Sequence, residues 1–371
     1  MTARLFSPLM LRGLTLKNRV VVSPMQTYSA PDAMPGHWHR AHLGRFALGG
    51  AGLVMAEATA VTPDGRSTAM DLGLWSDAQE TAMADLANTV HACGASFGLQ
   101  LQHAGRKAAT TPPWDGFGPA KIADGGTVSG PSALPSGPDA HMPQEMAATD
   151  MDRLVLAYES ATRRADRAGV DMIEVHMAHG YLLHSFLSPL SNLRVDNFGG
   201  SRDNRLRFPL RVAKAVRAAW PDTKPMACRI SSVDGIGVGW SLEDSTVLAK
   251  ALADIGVDLL DCSSGGMELP RRDMLVPRGP GFQVRFASEL RKSSGLATMA
   301  VGGITDARQA EGILVQDHAD LIAIGREMLV NPNWALEAAN ELEPDTLFAR
   351  WPKPFGWWLK RRSRAEVRRE P

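Results

Sequence analysis

Eight short apolar runs recur along the chain, at 20–23, 52–59, 96–102, 172–176, 226–231, 259–263, 297–301 and 321–324. They are rich in β-formers and continuous rather than alternating, the pattern of strands buried on both faces of a parallel sheet. Helical segments lie between them. Several open on capping signatures, Ser76-Asp-Ala-Gln79, Thr149-Asp-Met-Asp152 and Ser241-Leu-Glu-Asp244, in which a hydroxyl can satisfy an orphan N–H of the first turn. The alternation repeats about eight times without a break in composition, which predicts an α/β fold with a single closed (β/α)8 TIM barrel rather than two domains.

Three stretches stand outside the alternation. Residues 5–17 form a short amphipathic run around Arg12-Gly13, readable as an N-terminal hairpin closing the bottom of the barrel. Residues 105–143 are rich in Gly, Pro, Asp and Ser, poor material for helix or strand. They predict a long excursion after strand three that overhangs the barrel mouth, where long connections are commonly functional. Residues 351–371 carry Trp351, Trp357 and Trp358, then Lys360, Arg361, Arg362, Arg364, Arg368 and Arg369. The expected organisation is therefore a barrel over 1–350 and a C-terminal tail over 351–371. That tail either packs on its own barrel or, because adjacent exposed tryptophans are costly, lies at a subunit interface.

Composition narrows the function. The 371 residues are 44% hydrophobic and 22% charged, an ordinary globular balance that excludes disordered, collagen-like and coiled-coil chains. Lys plus Arg equals Asp plus Glu at 40 each, so no global field draws the protein to nucleic acid or anionic lipid. No apolar run reaches the roughly 18 residues of a membrane span, and the first residues lack a signal-peptide core, so a cytoplasmic protein with a small-molecule substrate is expected. Cys93, Cys228 and Cys262 make no disulfide framework or C-x-x-C motif. Redox chemistry would then need an organic cofactor or an isolated site.

In a barrel, chemistry sits where strands end. The residues there are Ser23-Pro24-Met25-Gln26 with Tyr28, Glu57-Ala58-Thr59, Gln100 and His103, His176 and His179 with Tyr181, Arg229, Ser263-Ser-Gly-Gly266, Gly302-Gly303 and Gly325-Arg326. The glycines of the last two turns offer unshielded N–H groups at helix starts, where barrels commonly hold a phosphate, and Arg326 would add charge-assisted hydrogen bonds. The alternative is two tight turns and a solvated arginine. His176 and His179 can form a metal pair, a core pair or an anion-binding pair. The stretch lacks His-Glu-x-x-His, which disfavours zinc. Two imidazoles past a strand end can instead stabilise charge on a ligand oxygen, with the Tyr181 phenol delivering a proton beside it.

These motifs make the chain resemble the Old Yellow Enzyme family of FMN-dependent oxidoreductases, in the class of bacterial ene-reductases and xenobiotic reductases. The likeness runs through Leu5-Phe-Ser-Pro, Leu14-Thr-Leu-Lys-Asn-Arg19, Ser23-Pro-Met25, Gly49-Gly-Ala-Gly-Leu53, Gln100-Leu-Gln-His-Ala-Gly-Arg-Lys107, Glu174-Val-His-Met-Ala-His-Gly-Tyr-Leu-Leu183, Phe198-Gly-Gly-Ser-Arg-Asp-Asn-Arg205 and the paired glycine turns. The resemblance implies non-covalent FMN, with Ser23, Pro24 and Met25 lining the ring and Ala58 and Gln100 at its edge. It places Arg229 by the ring nitrogen and carbonyl that become negative on reduction, and Gly302, Gly303, Gly325 and Arg326 at the phosphate. His176 and His179 would bind the activating carbonyl, nitro or phenolate oxygen, Tyr181 would be the proton donor, and Tyr28 a second substrate contact. The reaction implied is ping-pong reduction of an electron-poor alkene, with NADPH or NADH as hydride donor.

The sequence departs from that class at Gln26, where a cysteine is usual, which predicts an altered flavin potential and substrate range. Asp203 stands where glutamate is more familiar, and keeps the charge. In related enzymes the C-terminal segment supplies an aromatic or arginine to a neighbouring subunit's site, which makes Trp357, Trp358 and Arg362 candidates and a homodimer or homotetramer the expected assembly. Two other functions fit the same residues: an FMN enzyme for an aromatic, CoA-linked or demethylation substrate, and a metal-dependent barrel hydrolase using Glu174, His176 and His179. Relatives with an iron–sulfur cluster are excluded by the cysteine count and the length.

Overall fold

The structure, a computed structural model, describes residues 2–122, 127–267 and 276–367. A short antiparallel hairpin, β1 (Leu9–Leu11) and β2 (Leu14–Leu16), precedes β3 (Val20–Val22). Then follow α1 (His37–Leu48), β4 (Leu53–Ala60), the short β5 (Leu72–Gly73), α2 (Asp77–Ala92) and β6 (Ser96–Gln102). Among its described residues the excursion from β6 carries short 3-10 turns and a two-residue pair, β7 (Ser129–Gly130) and β8 (Gln144–Glu145), before α3 (Ala148–Arg167). The second half runs β9 (Met172–Met177), α4 (Leu182–Leu187), α5 (Arg202–Ala219), β10 (Met226–Ser231), α6 (Leu242–Ile255), β11 (Leu259–Ser263), α7 (Val284–Ser294) and β12 (Ala297–Val301). It ends with α8 (Ala307–Val315), β13 (Leu321–Ile324), α9 (Arg326–Val330), α10 (Trp334–Leu342) and α11 (Lys353–Val367).

Eight parallel strands close a barrel in the order β3-β4-β6-β9-β10-β11-β12-β13, with β13 pairing back to β3. These are the eight apolar runs of the sequence, to within a residue or two at their ends. Alternation sends one set of side chains inward and the other outward. The inward set packs as its own cluster, Val21, Leu53, Met55, Met172, Leu259, Met299 and Leu321 among them, and Leu11 and Leu16 of the hairpin join it from below. The hairpin is thus the barrel floor, tied there by Gly13 N–H donating to Thr223 O at 2.9 Å. Gly98 has no side chain because a Cβ there would lie 2.1 Å from Met55 Sδ.

Two of the three capping signatures start helices as read. Ser76 Oγ accepts from Gln79 N–H while the Gln79 amide oxygen accepts from Ser76 N–H, and Ser241 and Asp244 make the same reciprocal pair. The third differs. Thr149 lies inside α3, which begins at Ala148 because Asp150 Oδ2 reaches back to accept from Ala147 N–H at 2.8 Å. The carboxylate, not the hydroxyl, satisfies the first turn. In the tail, α11 exposes Phe355, Trp357 and Trp358, while Arg368 and Arg369 lie outside the described residues.

Candidate active site

The upper ends of β3, β9, β10, β11 and β13 bring most of the expected residues to one rim. Ser23 N–H donates to Ile324 O at 3.0 Å, which sets the end of β3 beside the turn after β13; the Cβ position of Gly325 lies 3.7 Å from Met25 Sδ and 3.9 Å from Ser23 Cβ. Arg229 Nη1 donates to Ser23 Oγ at 3.2 Å from across the mouth. Register places Arg229 level with His176 on one side and Asp261 on the other. Pro24, Met25, Gln26 and Tyr28 are half-buried along the same edge, and Ala58 is buried at the β4 bulge.

The histidine pair is held tightly. The His176 and His179 rings meet edge to face at 5.2 Å, and the Tyr181 ring lies 5.0 Å from His176. His176 Nδ1 accepts from Ala178 N–H at 3.2 Å, so in the neutral ring the proton sits on Nε2 as a donor. His179 has φ +61°, donates its backbone N–H to Ser231 Oγ at 2.9 Å, and has Nε2 2.6 Å from Ser263 Oγ. Burial first, and then the Arg229 charge, hold both imidazoles well below the usual histidine range. They are neutral at pH 7, the form that donates a hydrogen bond without bringing a proton to release.

Lys107 is the residue whose role the sequence did not disclose. Buried at the start of the excursion, its Nζ donates to His179 O at 2.6 Å and to Gly266 O, and sits 5.7 Å from the Tyr181 ring centre. It staples the turns after β9 and β11 and passes against Gly180, whose Cβ position would lie 2.7 Å from Nζ. The adjacent Arg106 donates to Met267 O at 2.7 Å. Trp114, also of the excursion, meets the Tyr28 ring edge to face at 5.6 Å, so the excursion does reach the mouth.

The glycine turns are built differently from one another. Gly302 and Gly303 have φ of +105° and +64°, and the Gly303 carbonyl accepts from Gly281 N–H and Gln309 Nε2. Asp306 caps α8 by accepting from Gln309 N–H, so that helix start is already served by a carboxylate. Gly325 precedes α9 with no side-chain cap, and Arg326 is exposed beside it. From Gly302 the rim continues to the imidazoles: Gln283 Nε2 donates to Val301 O at 3.0 Å, and Gln283 Oε1 accepts from the Ser264 and Ser263 hydroxyls, the latter being the His179 partner. Trp358 is apart from this group. It is 66% exposed, and among the described residues its ring partner is Trp357, at 4.5 Å. A cavity of about 870 Å³ beneath the excursion, between Asp64, His103 and Arg153, contains none of the rim residues from β3, β9 or β10.

Comparison with known proteins shows the family and the fold. The family model of the NADH:flavin oxidoreductase / NADH oxidase family matches residues 4–345. The chain is 42% identical to an NADPH dehydrogenase of Geobacillus sp. (strain WCH70) over 344 residues, covering 92% of this chain and 95% of that protein. It is 42% identical to an NADPH dehydrogenase of Bacillus subtilis (strain 168), covering 93% and 97%. Among solved structures, morphinone reductase superposes with a TM-score of 0.77 at 29% identity over 91% of this chain and 90% of that one. A 2-naphthoyl-CoA reductase, 22% identical, superposes with a TM-score of 0.81 over 93% of this chain and 53% of that one, a likeness of fold alone.

Proposed function

Because the chain belongs to the NADH:flavin oxidoreductase / NADH oxidase family, and so is an FMN-dependent NADPH oxidoreductase of the Old Yellow Enzyme type, we propose that it reduces activated C=C bonds in enones and similar electron-poor substrates. The observation that carries this reading is the neutral imidazole pair beside a phenol on a rim backed by Arg229. Family membership also sets aside the metal-dependent hydrolase: Glu174 accepts from Gln100 Nε2 at 2.7 Å inside the barrel.

The residues at the mouth fit a flavin. Gln26 Nε2 is buried without a hydrogen-bond partner among the described residues, a state costing about 1–3 kcal/mol that a polar ring edge would relieve. Ser23, Pro24 and Met25 would line the ring, Ala58 and Gln100 its edge, Arg229 the side that becomes negative, and Gly302, Gly303, Gly325 and Arg326 the phosphate. The chemistry FMN supplies when bound is hydride relay, from NAD(P)H to the β-carbon of the alkene, with the two substrates taking turns in a ping-pong cycle. His176 Nε2–H polarises the substrate oxygen and bears its developing charge, with His179 held edge to face against it by Ser231 and Ser263. Tyr181 holds the proton destined for the α-carbon, and Lys107 fixes the turn that orients His179. Tyr28, with Trp114 behind it, and Gln26 bound the substrate from the opposite edge.

We also propose that α11 packs on a second copy of the chain, in a homodimer or homotetramer, and brings Trp358 toward the neighbour's substrate. Phe355, Trp357 and Trp358 are 47%, 49% and 66% exposed, an apolar surface large for a helix left in water. The function is tested by anaerobic half-reactions. NADPH should bleach the flavin absorbance of the purified protein, and 2-cyclohexenone should restore it while yielding the saturated ketone. Bleaching that only oxygen or a quinone reverses would refute alkene reduction.

A further inference from the structure

Beneath the rim the barrel holds an unequal set of charges. Glu174 on β9, Arg229 on β10 and Asp261 on β11 all lie inside, with both carboxyls sealed from solvent and Arg229 nearly so. Arg229 Nε is 3.2 Å from Asp261 Oδ2. Glu174 Oε1 accepts from Gln100 Nε2, but Glu174 Oε2 and both Asp261 oxygens have no protein hydrogen-bond donor among the described residues. One guanidinium thus faces two carboxyls in a sealed interior. An excess buried negative charge there is so unfavourable that one carboxyl keeps its proton.

We propose that Glu174 is a proton-holding positioning residue for flavin reduction: with Asp261 it shares one proton behind Arg229, and it holds that proton more tightly when negative charge is placed on the flavin ring. The proposal rests on the FMN reading above and adds to it where the charge of the reduced ring is balanced. The groups facing Glu174 are Asp261 from β11, Arg229 from β10 and the neutral Gln100 amide from β6, with His176 next along β9; the Cys228 thiol of β10 lies on the outer face of the barrel. Burial first and Asp261 second push the Glu174 carboxyl up to about 8, against the pull of Arg229 and Gln100; burial also raises Asp261, opposed by Arg229.

The balance is simple. Hydride from NAD(P)H carries two electrons and one proton to the ring, leaving one negative charge beside Arg229. Below about pH 8 Glu174 is protonated before and after. Above it, the pair gains one proton from solvent for each hydride delivered, so two protons accompany two electrons.

The test is the midpoint potential of the flavin-loaded protein from about pH 6.5 to 9.5, in the wild type and in Glu174→Gln, which mimics the protonated acid. Below the knee both should shift tenfold per pH unit in reduction equilibrium constant, about 30 mV for two electrons. Above it the wild type should shift a hundredfold per unit while Glu174→Gln keeps the tenfold slope. A wild type without a knee, or a variant with the same knee, overturns the proposal. If Glu174→Gln does not fold, the infrared band of a protonated carboxyl in the wild type, lost near the knee on raising pH, decides the matter, and a band absent at neutral pH refutes it. That band can be read without flavin, so a chain that binds no FMN sinks the functional reading while leaving the carboxyl pair separately tested.

Discussion

Replacing Lys107 by methionine keeps the stem and removes the charge, so it separates electrostatics from packing at the histidine turn. Lys107 Nζ lies 5.7 Å from the Tyr181 ring centre, and a phenolate oxygen beside that ring is taken to be on the order of 7 Å away. At an effective dielectric of about 20, that separation is worth about 2 kcal/mol, or roughly thirtyfold in affinity. A neutral enone, carrying only a partial charge on its oxygen, should lose severalfold at most. The assay is equilibrium titration of the flavin-loaded protein with 4-hydroxybenzaldehyde and with 2-cyclohexenone, following the flavin spectrum. Lys107→Met should weaken the phenolate about thirtyfold and the enone little, and Lys107→Arg should recover much of the loss. Equal losses for both ligands would mean that Lys107 only scaffolds the turn, and no loss for either would refute any role.

Tyr181→Phe should slow the alkene half-reaction by about 10²–10⁴-fold while leaving NADPH-driven bleaching nearly unchanged, as stopped-flow traces would show. Gln26→Cys exchanges a buried amide for a thiol and should change both the flavin midpoint potential and the steady-state substrate profile; identical values would remove Gln26 from the site. Because burial depresses His176 and His179, the unfolded chain takes up their protons first as the pH falls below about 6.5, and stability should drop by about 1.4 kcal/mol per pH unit per histidine until the folded values are reached. Urea midpoints near pH 7.5 and 5.5 should therefore differ less in a His176→Asn/His179→Asn double variant than in the wild type. Truncation after Trp351 should lower both the oligomer mass in light scattering and the substrate affinity; a fully active monomer would refute the interface.

What was legible in the chain was whatever obeys a short-range rule. The eight strands were readable because both faces of a barrel strand are buried, which writes an unbroken apolar run, and the hairpin because Arg12-Gly13 marks a turn. The strand-end residues were readable because a strand boundary predicts position without any contact being known. Thr149 misled because two capping-capable residues lie one apart, and only the tertiary placement of α3 decides between them. Lys107 was hidden for a related reason: a lysine in a glycine-rich excursion reads as solvated, and its burial comes from turns more than 70 residues away in sequence. The link of Gly302 through Gln283 to Ser263 and His179 joins three loops and leaves no local trace.

The apolar layer formed by Leu53, Met55, Met172 and Leu259 on the hairpin floor closes the barrel from below, so the charges above it see water only through the mouth. In that geometry a cation is effective only if it is offset, since an isolated buried guanidinium would be excluded or would draw water in. Asp261 offsets Arg229, and Lys107 donates to two backbone carbonyls, His179 O and Gly266 O, beside the imidazoles. Both cations thus favour negative charge at the mouth while keeping His176 and His179 neutral. That combination suits a site that must stabilise an oxyanion without donating an imidazole proton, leaving proton delivery to Tyr181.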